Sequence, residues 1–212
     1  MGEFFDNRLE GYEEHQLNCV ESAREFYLYT AEQLPMFSGS CVLDLGCGTG
    51  LELSEYFKMN PNAAVTGIDL ASGMLQFLKT KFSDKQLTLI NNSYFNFPFG
   101  ERVYDAVVSV ESLHHFTLRQ KIPLYKKLHE ALKEKGYFIL TDYIIENAKE
   151  EQQNFHELAR QKKEAGISDD EFYHYDTPLT RKHEMEALLS GGFSKIECLN
   201  KWGNTTMLKA YK

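Results

Sequence analysis

The sequence predicts a doubly wound α/β fold with a mostly parallel sheet, and three observations carry that expectation. Short apolar runs alternate with amphipathic stretches of helical length through most of the 212 residues. The runs are almost continuously apolar, as in strands covered on both faces. The chain then closes on two strand-like runs joined by a tight turn, which adds an antiparallel pair to a parallel sheet.

Taken in order, the strand-like runs are "CVLDL" (41–45), "AAVTGID" (63–69), "QLTLIN" (86–91), "YDAVVSV" (104–110) and "GYFILTDY" (136–143). Apolar residues at helical spacing fill the intervals 51–59, 71–82 and 118–135. Each such interval is long enough for a crossover helix, so the units read as βαβ. Within the second interval Met74, Leu75, Phe77 and Leu78 form the core-facing run. The segment 146–180 exceeds a simple crossover and reads as a polar helix followed by an aromatic loop, a lid or substrate wall. Gly191 and Gly192 stop the next helix, and Gly203 with Asn204 turns the closing hairpin. No repeat, low-complexity run or linker divides the chain. A single domain over 1–212 is expected, with an N-terminal helical cap over about 1–35 and the helical insertion over about 146–180.

The formal net charge is −8, from 31 acidic and 23 basic side chains, which argues against a broad electrostatic grip on nucleic acid. Cys19, Cys41, Cys47 and Cys198 form no CxxC pair and no Cys/His ligand spacing, so neither a disulfide framework nor a zinc site is expected. The polar N-terminus lacks the apolar core of a signal peptide, and no apolar run approaches the roughly 18 residues of a membrane span. The expectation is a soluble, cytoplasmic protein.

The chemistry is concentrated in "VLDLGCGTGLEL" (42–53). A strand there enters Gly46-x-Gly48-x-Gly50 and then a helix. Such a turn lets backbone approach a nucleotide-like ligand closely. The spacing is not the GxGxxG of a dinucleotide pyrophosphate loop. Asp69 ends the second strand in "VTGIDLASGM", where a carboxylate can accept both hydroxyls of a ribose.

From about Phe4 onward the chain resembles the class I S-adenosylmethionine-dependent methyltransferases of the small, single-domain type. "VLDLGCGTG" resembles that family's first motif, "GIDLAS" its second-strand acid, "YDAVVS" its fourth strand and "LHEALKEKGYFILTD" its helix and fifth strand. The resemblance implies a Rossmann-like, seven-stranded sheet with an antiparallel last strand. It also implies S-adenosyl-L-methionine as cofactor, with Gly46, Cys47 and Gly48 at the methionine part. Asp44 would lie below that loop and hold it or the cofactor ammonium, which explains an acid inside an apolar strand. Tyr12 would fold over the methionine end, with Leu70, Met74, Tyr94 and Val110 completing the expected contacts. Where the family often carries an acid for the adenine amino group, this chain has "NNSYFNFPFG", leaving Asn92 and Ser93 to hold that end.

On the acceptor side, "SVESLHHF" (109–116) places Val110, Glu111, His114 and His115 near the cofactor, and the two histidines are the candidate catalytic groups. Arg8, Tyr12 and His15 share one helical face of the N-terminal segment. "EFYHYDTPLT" (171–180) and Trp202 supply aromatic groups suited to walling an acceptor pocket. The expected activity is in-line methyl transfer to a small-molecule acceptor, with no metal, no membrane and no nucleic-acid partner. Two alternatives share the fold: a carboxy-S-adenosylmethionine synthase-like enzyme, and a non-catalytic S-adenosylmethionine-binding protein. The sequence leaves the acceptor atom and the oligomeric state open.

Overall fold

A computed structural model of the chain describes residue 9, residues 11–168, residue 171 and residues 173–212. Arg8 lies outside the described residues. Two helices, α1 (Tyr12–Cys19) and α2 (Ala23–Glu32), precede β1 (Cys41–Leu45), α3 (Leu51–Met59), β2 (Ala64–Asp69), α4 (Ser72–Lys81) and β3 (Gln86–Asn91). Then follow β4 (Tyr104–Val110), α5 (Leu118–Ala131), β5 (Leu132–Tyr143), α6 (Ala148–Glu164), α7 (Arg181–Ser190), β6 (Lys195–Trp202) and β7 (Thr205–Tyr211). The seven strands lie in the order β3-β2-β1-β4-β5-β7-β6, with β7 antiparallel to both of its neighbours and the other pairings parallel. This is the expected doubly wound sheet with its closing hairpin.

Strand alternation divides the core between the two faces. Leu43 and Leu45 of β1 and Val107 of β4 face the side where α5 and α7 contribute Leu124, Leu128 and Leu188. Val42 of β1 and Ala106, Val108 and Val110 of β4 face the opposite side, covered by Phe26 of α2, Leu53 and Tyr56 of α3 and Leu78 of α4. Burying each large aliphatic or aromatic side chain contributes about 1.5–3 kcal/mol. By the same alternation Asp44 shares the face of Val42, so an acid points at α3.

One expected boundary is wrong. The helical reading of 118–135 ends at Ala131, and Leu132 to Lys135 already belong to β5. Leu132 is fully buried and pairs with Tyr104, after which the register shifts before Ala106 meets Tyr137. Burial of one leucine overrides the helix propensity of "LKEK". The start of α5 follows its sequence: Thr117 and Gln120 form a capping box.

The insertion is closed at its base. Ile145 N donates to Leu179 O (3.1 Å) and Arg181 N to Ile145 O (2.9 Å), so the segment leaves and re-enters at one point. Thr180 N donates to Glu151 Oε2 at 2.5 Å, tying that point to the first turn of α6.

Beneath α7 lies a buried ion pair. Lys121 Nζ donates to Glu184 Oε2 at 2.5 Å, and the Tyr125 hydroxyl donates to Glu184 Oε1. Lys121 and Glu184 are 1% and 0% exposed, so neither charge has water to fall back on. Removing one partner of such a pair costs about 3–5 kcal/mol, whereas replacing both by apolar groups is close to neutral. Glu184→Leu is therefore expected to lower unfolding stability in urea by about that amount, and Lys121→Met combined with Glu184→Leu to recover most of it.

Candidate active site

A cleft of about 520 Å³ opens at the carboxyl ends of the strands. It sits where β2-β1 and β4-β5 run in opposite directions across the sheet, the switch point at which open α/β sheets bind ligands. Gly46 and Gly48 line it from the loop after β1, and Asp69, Leu70 and Met74 from the end of β2 and from α4. Val110, Glu111, Ser112 and His115 line it from the segment after β4, with Tyr94 behind and Tyr12 of α1 across the opening.

The glycine loop is shaped by close approach. Gly46 has φ +69°, and a Cβ there would stand 2.1 Å from Ser112 Oγ. No other residue fits without moving the β4 segment. Asp69 holds the loop to the second strand: its Oδ2 accepts from Gly48 N (2.9 Å) and its Oδ1 from Ala71 N (2.8 Å). Glu111, with φ +49°, bends the chain sharply out of β4 into the cleft wall. Strained backbone of this kind clusters at functional sites.

Beneath the loop lies a pair of buried carboxyls. Asp44 is 1% exposed, and among the described residues no donor reaches either of its oxygens. Its neighbour is Glu52 on α3, itself 4% exposed. Burial first, and then each other's charge, pushes the Asp44 carboxyl well above the usual carboxylate range. Burial also raises the Glu52 carboxyl. With no fixed donor between them, the two acids are satisfied by sharing a proton or by a cation. The acidic field extends upward. Burial, with Asp69, Glu52 and Glu111 adding to it, pushes the Tyr12 hydroxyl up to about 12. Burial raises the Glu111 carboxyl to about 7 against the pull of His114. The whole floor of the cleft therefore favours a positively charged occupant.

Beyond Glu111 a second set of polar groups converges. His114 Nδ1 and Asp142 Oδ1 are 2.6 Å apart, and the other Asp142 oxygen accepts from Leu113 N (2.9 Å). Burial lowers the His114 imidazole, but Asp142, Glu111 and Asp176 more than offset it and bring it up to about 9. Burial and the adjacent His114 pull His115 down to about 4. Asp176 of the insertion reaches both rings, 3.1 Å from His115 Nδ1 and 3.6 Å from His114 Nε2. A second depression of about 620 Å³, lined by Tyr143, Asn154, His174, Tyr175 and Asp176, opens on the far side. Neither histidine is tuned as a general base near pH 7: one is already protonated and the other holds a proton too weakly.

The structure thus brings Tyr12, Gly46, Gly48, Asp69, Leu70, Met74, Tyr94, Val110 and His115 to one cleft, with Asp44 under it and His114 beside it. Met74 both packs in the core, 2% exposed, and lines the cleft. Other expected positions lie elsewhere. The Cys47 side chain points into the core, with its Sγ 2.8 Å from where a Gly67 Cβ would sit, so that residue offers the cleft backbone alone. Asn92 and Ser93 are outside the lining residues, and the Ser93 N–H is taken by Asn92 Oδ1 at 2.7 Å. His15 faces solvent. Trp202 packs edge-on against Tyr29 and beside Phe26 of α2 instead of walling an acceptor pocket. Sequence reasoning missed Glu52, Ser112, Asp142 and Asp176. Asp142 carries the signal that flagged Asp44, an acid at the end of an apolar strand.

Comparison with known proteins fits this geometry. The family described as "Methyltransferase domain" matches residues 42–136, the stretch from β1 into β5. An uncharacterized methyltransferase of Oceanobacillus iheyensis is 30% identical over 150 residues, covering 71% of this chain and 68% of that protein. A carboxy-S-adenosyl-L-methionine synthase of Nautilia profundicola is 27% identical over 182 residues, covering 81% and 76% respectively. Human N-acetylserotonin methyltransferase, solved in complex with SAM, superposes with a TM-score of 0.70 at 17% identity, over 100% of this chain and 56% of that one. At that identity the likeness is one of fold. With the glycine loop, the strand-end acid and the sheet order, these matches place the chain in the class I S-adenosylmethionine-dependent methyltransferase family.

Proposed function

We propose that this protein transfers the methyl group of S-adenosylmethionine to a small-molecule acceptor. The observation that carries the reading is Asp44, a buried acid on the strand that leads into the glycine loop, which no donor among the described residues reaches and which is paired with Glu52. A buried acid pair of this kind calls for a cation, and the methionine part of the cofactor carries an ammonium and a sulfonium. The remaining residues fit the rest of the cofactor. Asp69 sits at the end of the second strand, where the ribose hydroxyls would meet its carboxylate, and Leu70 and Met74 offer an apolar wall to adenine. Gly46 and Gly48 admit the chain of the amino acid.

When bound, the cofactor supplies an electrophilic sulfonium methyl. The chain's own work is placement: Tyr12 covers the opening from α1, while Glu111, Ser112 and His115 form the wall between the cleft and the second depression. Holding the acceptor in line with that methyl supplies much of the rate. The depression suits a small molecule, and an acidic surface with net charge −8 opposes a nucleic-acid acceptor. The four free cysteines suit a reducing cytoplasm. A carboxy-S-adenosylmethionine synthase must hold an additional carboxylate on its cofactor. No Lys or Arg lines the cleft among the described residues, and Glu111 and Asp69 do, which disfavours that reading.

Isothermal titration is expected to show one molecule of S-adenosylhomocysteine bound per chain, and Gly46→Ala to abolish binding by pushing Ser112 into the cleft. Absence of heat from the wild-type protein at millimolar ligand contradicts the proposal. The Asp44 carboxyl, raised in the folded state, contributes stability at acid pH that is lost as pH climbs above the ordinary carboxylate range. Asp44→Asn is therefore expected to raise the melting temperature of the ligand-free protein at neutral pH. The same change should weaken S-adenosylhomocysteine binding by about tenfold to a hundredfold, the worth of a hydrogen bond to a charged group. Calorimetry on the two proteins at pH 5 and pH 8 checks both effects.

A further inference from the structure

The groups gathered by the insertion remain to be explained. Ligand atoms of His114, His115 and Asp176 all lie within 4.8 Å of one another. Asp176 Oδ1 lies 3.1 Å from His115 Nδ1 and 3.6 Å from His114 Nε2. Nitrogen and oxygen ligands at 2.0–2.2 Å from one ion, at tetrahedral angles, stand about 3.4 Å apart. Both Asp176 separations match two ligands on one ion.

The surroundings are also those of a metal site. His114 is 7% exposed, and its Nδ1 is engaged by Asp142 Oδ1 at 2.6 Å. That contact leaves Nε2 facing Asp176, where a bound ion would take the place of the second ring proton, the carboxylate–histidine arrangement that supports metal ligands. Asp142 is fixed in turn by two backbone donors, Leu113 N and Tyr143 N, each at 2.9 Å. Asp176 is held in place by the next residue, since Thr177 N donates to His114 O at 2.9 Å. Three carboxylates, Glu111, Asp142 and Asp176, thereby converge on the same imidazole, an excess of negative charge that a divalent ion balances.

We propose that His114 Nε2, His115 Nδ1 and Asp176 Oδ1 form a binding site for a divalent transition-metal ion. Two imidazoles and one carboxylate suit zinc, iron, cobalt or manganese better than magnesium or calcium. Three protein ligands leave coordination positions open. His115 borders the cofactor cleft and Asp176, half exposed, borders the second depression, so an ion here lies between the two. The acceptor class that follows is a small molecule lending the ion a hydroxyl or thiol; this part rests on the methyltransferase reading above.

The test is titration of the chelator-treated, full-length protein with Co²⁺ and with Zn²⁺, without cofactor, followed by heat and by the visible absorption of bound Co²⁺. One ion per chain is expected. Asp176→Asn, at a half-exposed position that leaves the fold intact, should weaken binding by at least about tenfold, and Asp142→Asn by about 10–100-fold. His183→Gln, which removes a different histidine–carboxylate contact, should leave binding unchanged. Wild-type protein that takes up no ion, or Asp176→Asn protein that binds as the wild type does, overturns the site. Titrating each sample with S-adenosylhomocysteine separates the two proposals. Metal binding without S-adenosylhomocysteine binding would overturn the acceptor class while supporting the ion site, and the reverse would overturn the ion site alone.

Discussion

Two acids buried under a glycine loop are an unfavourable thing to build, and the site is organised around that cost. Asp44 could have been another valine, since it sits between Leu43 and Leu45 in a fully buried strand. Instead the strand turns a carboxyl toward α3, and α3 answers with Glu52 from its first turn. In an interior without donors, this pair either keeps a proton or waits for a cation. The loop above them has room for backbone and nothing more, because Gly46 closes on Ser112. Asp69 then locks the loop to β2. A shared proton or a positively charged ligand at that point satisfies the pair.

The acceptor side is built by a different route. Here the polar groups come from three places far apart in sequence: the segment after β4, the end of β5, and the insertion. Asp142 and Thr177 fix His114 with hydrogen bonds to its ring, its carbonyl and the preceding backbone N–H. The insertion starts and ends at a single backbone junction, Ile145 with Thr180, so its length can vary without disturbing the sheet. Separate construction lets a cofactor platform of fixed geometry serve an acceptor site of variable content.

Much of the fold could be read from the chain because its signals are local. Near-continuous apolar runs located β1 and β4 to the residue, and Gly203 located the closing turn. The failure at Leu132 to Lys135 was of the opposite kind: nothing within "LKEK" says that Leu132 pairs with Tyr104, 28 positions earlier, beside a register shift. The cofactor side was legible for the same reason as the fold, since Gly46, Gly48 and Asp69 belong to contiguous strand–loop–helix units. Glu52 was not, because one acid in an amphipathic helix looks like any solvated one until the parity of β1 aims Asp44 at it. Asn92 and Ser93 lie outside the cleft lining, and the Asn92 side chain accepts from the Ser93 backbone, a local turn that sequence spacing does not reveal. Asp176 needed the whole insertion to fold back before it met the histidines.

The central claim is that the buried acids select a ligand bearing an ammonium, and comparison of two ligands tests it most directly. S-adenosylhomocysteine and 5′-methylthioadenosine share the adenosine and the thioether, and only the first carries the amino-acid group. Calorimetric titration of the wild-type protein with both should give S-adenosylhomocysteine an affinity at least about tenfold higher, and the gap should shrink in Asp44→Asn. Equal affinities, or a gap unchanged by Asp44→Asn, would contradict the account.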